Sequence, residues 1–540
     1  MRELQLAGAA RIAGEAAAAA PGGTARLHAY WRLPAGRALL ALVAVMLLVR
    51  LATLGLYPLM DTSEARYGEI ARVMLETGNF VTPQEIAGTP FWAKPPLYAW
   101  LSAASMAAFG VNEFALRLPS LLCALGVLAL CFSWAGAPIV AGGASSGAAA
   151  PVPPVLPLAP LLAVALLASS VLFFVAAGAV MTDPCLALCT TAMLAAFHRV
   201  VLAGSRGAAW RYGFFVAAGL GMLAKGPVIV LYAGAPIVLW TLWEGRLAQA
   251  WRALPWAAGT ALAVCICAPW YWLAELRTPG FLRYFLLGEH VMRFLKPGWG
   301  GDLYGTAHAE PLGMIWLYLA GALGAGSLLA GAAVVLAVRD RLRAAPRAGR
   351  TGAHGRYLLL AALVPLVFFS FAGNIIWTYA LPALGPLAVL VAQALAPRME
   401  DARARTLVLG TLYVGAAVLA VAVLAWVPRH VNAHSSATLV ARWREQAGNM
   451  PGAIVYVGRK APASLRFYAR GAVLAVPDLA GVLQDAGTAP GGRFLAVAPA
   501  QVPQAQAMAA APAVAVSLET VGANADLALL WAHAGPARLP

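Results

Sequence analysis

The chain has 540 residues, of which 61% are apolar and only 11% charged. A soluble domain is nearer half apolar and a quarter charged, so this composition excludes a cytosolic enzyme and a disordered protein and leaves a polytopic membrane protein. The 38 Lys and Arg against 22 Asp and Glu give a net charge of +16, which here reads as membrane topology rather than nucleic-acid binding, because cytoplasmic loops collect Lys and Arg.

Residues 1–37, rich in Ala and Gly with scattered Arg, are expected to form a disordered cytoplasmic tail. The first apolar run, 38–60, is too long for a signal-peptide core and reads as a retained anchor. Further apolar runs fall at 114–135, 155–178, 184–203, 211–224, 227–243, 253–274, 312–338, 357–373, 376–396 and 406–427. Together they predict an all-α polytopic membrane bundle of about 11–13 transmembrane helices. The six cysteines, Cys123, Cys131, Cys185, Cys189, Cys265 and Cys267, all lie inside these runs and read as small buried residues.

The run 96–110 is different. Fifteen helical residues rise only about 22 Å, against an apolar core of about 30 Å. Basic loops around Arg199–Arg211, Arg339–Arg356 and Arg398–Arg405 are placed inside together with the N-terminus. An even number of crossings must then separate residue 37 from residue 199. The runs 38–60, 114–135, 155–178 and 184–203 already supply it, so 96–110 is expected to lie along the membrane or re-enter it. This puts 61–113, 179–183, 275–311 and 428–540 outside, and makes 136–154 a cytoplasmic linker. Beyond 428 the composition changes. Ala453–Val457 and Phe494–Val497 read as buried strands and Ala463–Ala469 as part of a helix, which predicts a small outer α/β domain over 428–540.

The ionisable residues gather in the outer loops. Asp61 and Glu64 stand directly after the first membrane run, at the start of an amphipathic stretch. They can favour a helix start or face a pocket at the bilayer surface. Lys94, held extended before two prolines, suits a phosphate. Asp183 is the only acid between Glu113 and Glu244. Before Pro184 it is a good helix cap, and in an apolar half of the chain it is also a candidate for chemistry. Lys225, in a tight turn between two apolar runs, needs a partner: a phosphate, or Asp183. Glu289, His290 and Arg293 share the 275–311 loop. Acids and cations from four loops thus converge on one face, which could hold a phosphate-linked substrate and polarise its leaving group.

Glu64-Ala65-Arg66-Tyr67-Gly68-Glu69-Ile70-Ala71-Arg72-Val73-Met74 resembles the first-loop signature of bacterial GT-C glycosyltransferases, in particular the lipid A aminoarabinose transferases, relatives of the protein O-mannosyltransferases. Lys94-Pro95-Pro96, Asp183-Pro184, Ala224-Lys225-Gly226, Glu289-His290 with Arg293, and Tyr379-Ala380-Leu381-Pro382 follow in the same order. The resemblance covers roughly residues 40–400. It implies a GT-C-like bundle with interfacial helices, with Asp61, Glu64 and Asp183 as catalytic acids. Arg66, Lys94, Lys225, His290, Arg293 and Tyr379 would then bind the donor phosphate. Two positions depart from the pattern: Ser63 replaces an Asp of the aminoarabinose group, with Asp61 two residues earlier, and Ala93 replaces the acid that often precedes Lys-Pro. A divalent cation as cofactor is left open by the latter.

The function implied is inverting transfer of a sugar, an amino sugar such as aminoarabinose, from undecaprenyl phosphate to lipid A or another envelope acceptor. It would take place at the periplasmic face of the inner membrane, by a monomer that meets membrane lipids and no nucleic acid. A polyprenyl-phosphate-hexose protein O-glycosyltransferase, a lipid-linked sugar transporter or flippase, and a non-catalytic envelope scaffold are the other readings. Transporters place polar sites near the midplane between repeats, whereas here the polar groups sit in outer loops and no internal repeat is visible.

Overall fold

The computed structural model describes residues 30–137, 158–296, 298–305, 308–343, 352–448, 452–489, 491–511, 514 and 516–534. Helices α1 (Pro34–Ala52), α2 (Ser63–Thr77), α3 (Leu97–Phe109) and α4 (Glu113–Ala135) open the chain, with a small hairpin of β1 (Gln84–Ile86) and β2 (Thr89–Pro90) before α3. Then come α5 (Ala159–Ala168), α6 (Asp183–Phe197), α7 (Ala208–Lys225), α8 (Ala235–Trp243) and α9 (Trp256–Arg277). The bundle closes with α10 (Met314–Leu323), α11 (Gly326–Arg343), α12 (Gly352–Phe369), α13 (Leu381–Leu395) and α14 (Ala402–Val421).

Among the described residues seven helical segments are long and apolar enough to cross a membrane, or eight if α10 and α11, bent by 109° at their break, form one span. Shorter apolar helices at Leu97–Phe109, Ala159–Ala168 and Val230–Trp243 accompany them. The protein is thus a multi-pass membrane bundle. Its centre is α13, whose Leu381, Ala383, Leu384, Val389 and Ala392 are buried and which packs against α4, α5, α6 and α12. Gly385 permits that approach: a Cβ there would stand 3.2 Å from Thr191 Oγ1 and 3.4 Å from Cys131 Sγ.

Two apolar runs are not continuous helices. The run 38–60 is helical only to Ala52. After it Arg117 of α4 donates to the carbonyls of Leu54, Tyr57 and Pro58 at 2.8, 2.7 and 3.0 Å, satisfying backbone groups of the non-helical segment. The run 155–178 breaks where Ser169 and Ser170 turn their hydroxyls onto the carbonyls of Ala165 and Leu167, at 2.7 and 2.9 Å. The expected tail over 1–37 lies outside the described residues as far as residue 29, and its Pro34–Arg37 belong to α1. The expected linker 136–154 lies outside them from residue 138.

Helix α3 packs between α2 and α4. Lys94, just before it, pairs with Glu289 at 2.9 Å, and Glu113, just after it, accepts a bond from Tyr468 of the C-terminal domain at 2.7 Å. The thirteen residues of α3 rise about 20 Å, less than an apolar core of about 30 Å.

After α14 come α15 (Ala437–Ala447), β3 (Ile454–Val457), α16 (Ala463–Tyr468), β4 (Val473–Val476), α17 (Leu479–Thr488), β5 (Arg493–Val497), α18 (Val502–Ala509), β6 (Val516–Ala523) and β7 (Ala528–Ala534). The sheet order is β4-β3-β5-β7-β6, with β4, β3 and β5 parallel and β7 antiparallel to β5 and β6. Alternation divides its faces. Val455, Val457, Leu495, Val497 and Leu530 pack with Leu483 of α17 and Ala505 of α18. Ile454, Phe494, Ala496, Leu529 and Trp531 pack with Leu439 of α15 and Leu465 of α16 on the other side. The result is a three-layer α/β/α domain. It is fastened to the bundle through α16, whose Ala463 and Phe467 join the cluster of Leu59, Ala65, Ala71 and Leu116.

Candidate active site

Asp183 opens α6, with Pro184 behind it. A carboxylate there could cap the helix, but no side-chain cap bond forms. Instead Asp183 Oδ1 accepts from Lys225 Nζ at 2.6 Å. Lys225 is the last residue of α7, and Gly226 turns the chain at φ 84°. A Cβ on Gly226 would lie 2.5 Å from the Phe285 ring, so only glycine allows the turn to sit against that ring. The Lys225 ammonium also lies 4.9 Å from the centre of the Tyr379 ring, whose carbonyl is fixed by the Tyr232 hydroxyl at 2.7 Å.

Next to this pair lies a second cluster. Glu289 accepts from Lys94 at 2.9 Å, from Arg293 at 2.8 Å and from the Tyr284 hydroxyl at 3.1 Å. Arg293 also reaches Asp302 at 3.3 Å. Burial opposes the Glu289 charge, but Lys94 and Arg293 outweigh it and hold the carboxyl below its usual range. Burial likewise opposes the Lys94 charge, and Glu289, Tyr67 and Tyr379 more than compensate, so the ammonium stays protonated. The Tyr379 ring lies under Lys225, and His290, next to Glu289 in the chain, reaches the Lys225 carbonyl, so the two clusters adjoin.

His290 sits between them. Its Nδ1–H donates to the Phe285 carbonyl at 2.8 Å, and its Nε2 lies 3.4 Å from the Lys225 carbonyl. Burial keeps the ring below its usual 6.5, and it is neutral at neutral pH. The segment Tyr284–Met292 is π-helical, a form frequent at functional sites.

The first-loop acids part company. Glu64 is clamped by Arg117 at 2.8 and 2.9 Å, and also accepts from the backbone of Met60 and Val180, each at 3.2 Å. Burial would raise its pKa, and Arg117 lowers it further than that. Asp61 turns the other way, to the C-terminal domain, where the Ser464 backbone N–H donates at 3.0 Å and the Ser464 hydroxyl also donates. Burial raises its pKa. Arg66 donates to the Tyr304 carbonyl at 2.8 Å, and the Tyr304 ring packs at a tilt against Phe91 in the Lys94 segment.

The residues Asp183, Lys94, Lys225, His290, Arg293 and Tyr379 are thus brought together. Arg66 adjoins them through Tyr304, Glu64 holds the backbone of Val180 three residues before Asp183, and Asp61 bonds Ser464 of the C-terminal domain. Sequence reasoning missed Arg117, Asp302, Tyr284 and Glu85. An arginine inside an apolar run was the available signal for Arg117. Among the described residues no group of three or more His, Cys, Asp or Glu side chains is placed to hold a metal ion.

Two family models match the chain, both described as dolichyl-phosphate-mannose-protein mannosyltransferase, over residues 36–143 and 157–272. The undecaprenyl phosphate-alpha-4-amino-4-deoxy-L-arabinose arabinosyl transferase of Pseudomonas savastanoi pv. phaseolicola is 32% identical over 374 residues, 68% of this chain and 62% of that protein. The protein of the same name from Aeromonas hydrophila is 29% identical over 385 residues, 69% of this chain and 63% of that protein. This chain therefore spans less than two thirds of either relative. The crystal structure of ArnT from Cupriavidus metallidurans bound to undecaprenyl phosphate aligns with a TM-score of 0.71, at 20% identity, over 92% of this chain and 99% of that one. That likeness establishes a shared fold.

Proposed function

We propose, from the resemblance of this chain to GT-C aminoarabinose transferases and their shared fold, that it is a glycosyltransferase taking its sugar from undecaprenyl phosphate. The sugar is an amino sugar such as aminoarabinose, and the acceptor is lipid A or another envelope glycolipid. The protein lies in the inner membrane with its site facing the periplasm. One chain carries both charged clusters, which supports action as a monomer.

The observation that carries this reading is the meeting of Asp183–Lys225 and Lys94–Glu289–Arg293 at Tyr379. Without substrate the cations are neutralised by carboxylates. An incoming phosphate would compete for Lys225, Lys94 and Arg293, and in doing so release Asp183. The freed carboxylate then orients the acceptor oxygen, or takes its proton if it is a hydroxyl. In a single displacement the bond from anomeric carbon to acceptor oxygen forms as the bond to the donor phosphate oxygen breaks. The three cations stabilise the negative charge arriving on the leaving undecaprenyl phosphate. Neutral His290 adds no charge and serves the Lys225 turn.

The test is transfer by purified protein from undecaprenyl-phosphate-linked aminoarabinose to lipid A. Asp183→Asn should fold and lose about 10²-fold or more in rate. Lys225→Gln should lose transfer and also bind undecaprenyl phosphate more weakly. Near-normal transfer by Asp183→Asn would remove this mechanism.

A further inference from the structure

A cavity of about 300 Å³ lies in the seam between the first outer loop and the C-terminal domain, away from the Tyr379 centre. Its lining includes Asp61, Arg66, Glu85, His434, Lys460 and Asp526. On one wall a single carboxylate is shared by three cations. Glu85 is 2.9 Å from Lys460, 3.6 Å from Arg66 and 3.9 Å from Arg466. Only Lys460 is within hydrogen-bond distance, so this wall keeps an excess of positive charge. The lining also carries Asp61, Ser436 and Asp526, the last paired with His434 at 3.1 Å. The cavity therefore offers groups of both charges. A ligand that fits it presents an anion to Lys460 and Arg66 and hydroxyl or amine donors to Asp61 and Asp526. The volume is at the lower end of small-molecule sites, roughly 300–1,000 Å³.

The cavity also has a physical link to the candidate active site. Arg66 bonds the Tyr304 carbonyl, the Tyr304 hydroxyl contacts the backbone of Trp92 and Pro90, and Lys94 follows two residues after Trp92. We infer that this seam holds the phosphorylated sugar headgroup of the acceptor, with the C-terminal domain supplying half of the recognition. The inference rests on the proposed transfer reaction and adds the place where the acceptor is held. Lys460 reads the phosphate and Asp61 the sugar hydroxyls. The domain fastened through α16 then has a task besides packing.

The experiment uses the full chain in phosphatidylethanolamine nanodiscs. Binding is measured for three probes: lipid A with its phosphates, enzymatically dephosphorylated lipid A, and inorganic phosphate. The Lys460 side chain is 48% exposed, so its replacement does not open the core. Lys460→Gln should weaken binding of phosphorylated lipid A at least fivefold, and Lys460→Arg should restore it. Undecaprenyl phosphate should bind both variants as it binds the wild type. Dephosphorylated lipid A should bind the wild type about as weakly as phosphorylated lipid A binds Lys460→Gln. Unchanged lipid A binding by Lys460→Gln overturns the assignment, as does inorganic phosphate that binds as tightly as lipid A. Lys460-dependent binding in a wild type that transfers no sugar would sink the transfer reaction and leave the headgroup site standing. Transfer by the wild type with Lys460-independent binding would do the reverse.

Discussion

Arg117 has no exposed surface and gives five hydrogen bonds: two to Glu64 and one each to the carbonyls of Leu54, Tyr57 and Pro58. Removing one partner of such a pair leaves a buried charge uncompensated, at a cost of about 3–5 kcal/mol. Arg117→Gln and Glu64→Gln should each lose stability by that order, read as a lowered unfolding midpoint in detergent. An Arg117→Gln midpoint equal to wild type would show that the clamp is dispensable. Glu289 gives a prediction in pH. Its folded pKa is depressed below the ordinary 4.5, so the carboxylate contributes stability that is fully present above 4.5 and is lost as pH falls through the folded value. The stability difference between wild type and Glu289→Gln should be constant from pH 7 to about pH 5 and shrink below about pH 4.5. A difference that already shrinks between pH 7 and 6 would contradict the depressed pKa. At this scale the Asp183–Lys225 pair was legible in the sequence, because a lysine in a tight turn between apolar helices has few candidate counter-charges. The partners of Glu64 and Asp61 were not. They lie 53 and 403 positions away in the chain, and no local pattern reports such distances.

Among the elements, α3 decides the topology. Its length and the parity of the basic loops lead to the expectation that it lies off the spanning path, and its two ends are held by Lys94 to Glu289 and by Glu113 to Tyr468. A cysteine at the exposed Ala108 should therefore react with impermeant reagents added from the periplasm. Labelling only after the inner membrane is permeabilised would put the end of α3 on the wrong side. The broken elements were less legible. Apolar composition alone does not distinguish a straight helix from one interrupted at Ser169, and the early end of α1 depends on an arginine that arrives from α4. The strands β6 and β7 were also unread, although their antiparallel pairing with β5 completes the outer sheet.

For the whole molecule, composition was enough to indicate a membrane bundle and a separate C-terminal domain, although the helical segment runs on past residue 428 to His434 and the domain's first helix begins at Ala437. How the two meet was not written in either part. The contact is made by α16, with Tyr468 bonded to Glu113 and to the Leu59 backbone, and Ser464 bonded to Asp61. These bonds tie the first loop and the start of α4 to the C-terminal domain, and the donor and acceptor are proposed to meet beside them. The claim at the centre of this account is that Asp183 serves transfer of an amino sugar to lipid A. Mass spectrometry of lipid A from cells that lack the gene, and carry either the wild-type chain or Asp183→Asn at equal expression, tests it most directly. The account predicts lipid A bearing the added amino sugar with the wild-type chain and unmodified lipid A with Asp183→Asn. Identical lipid A from the two strains would contradict it.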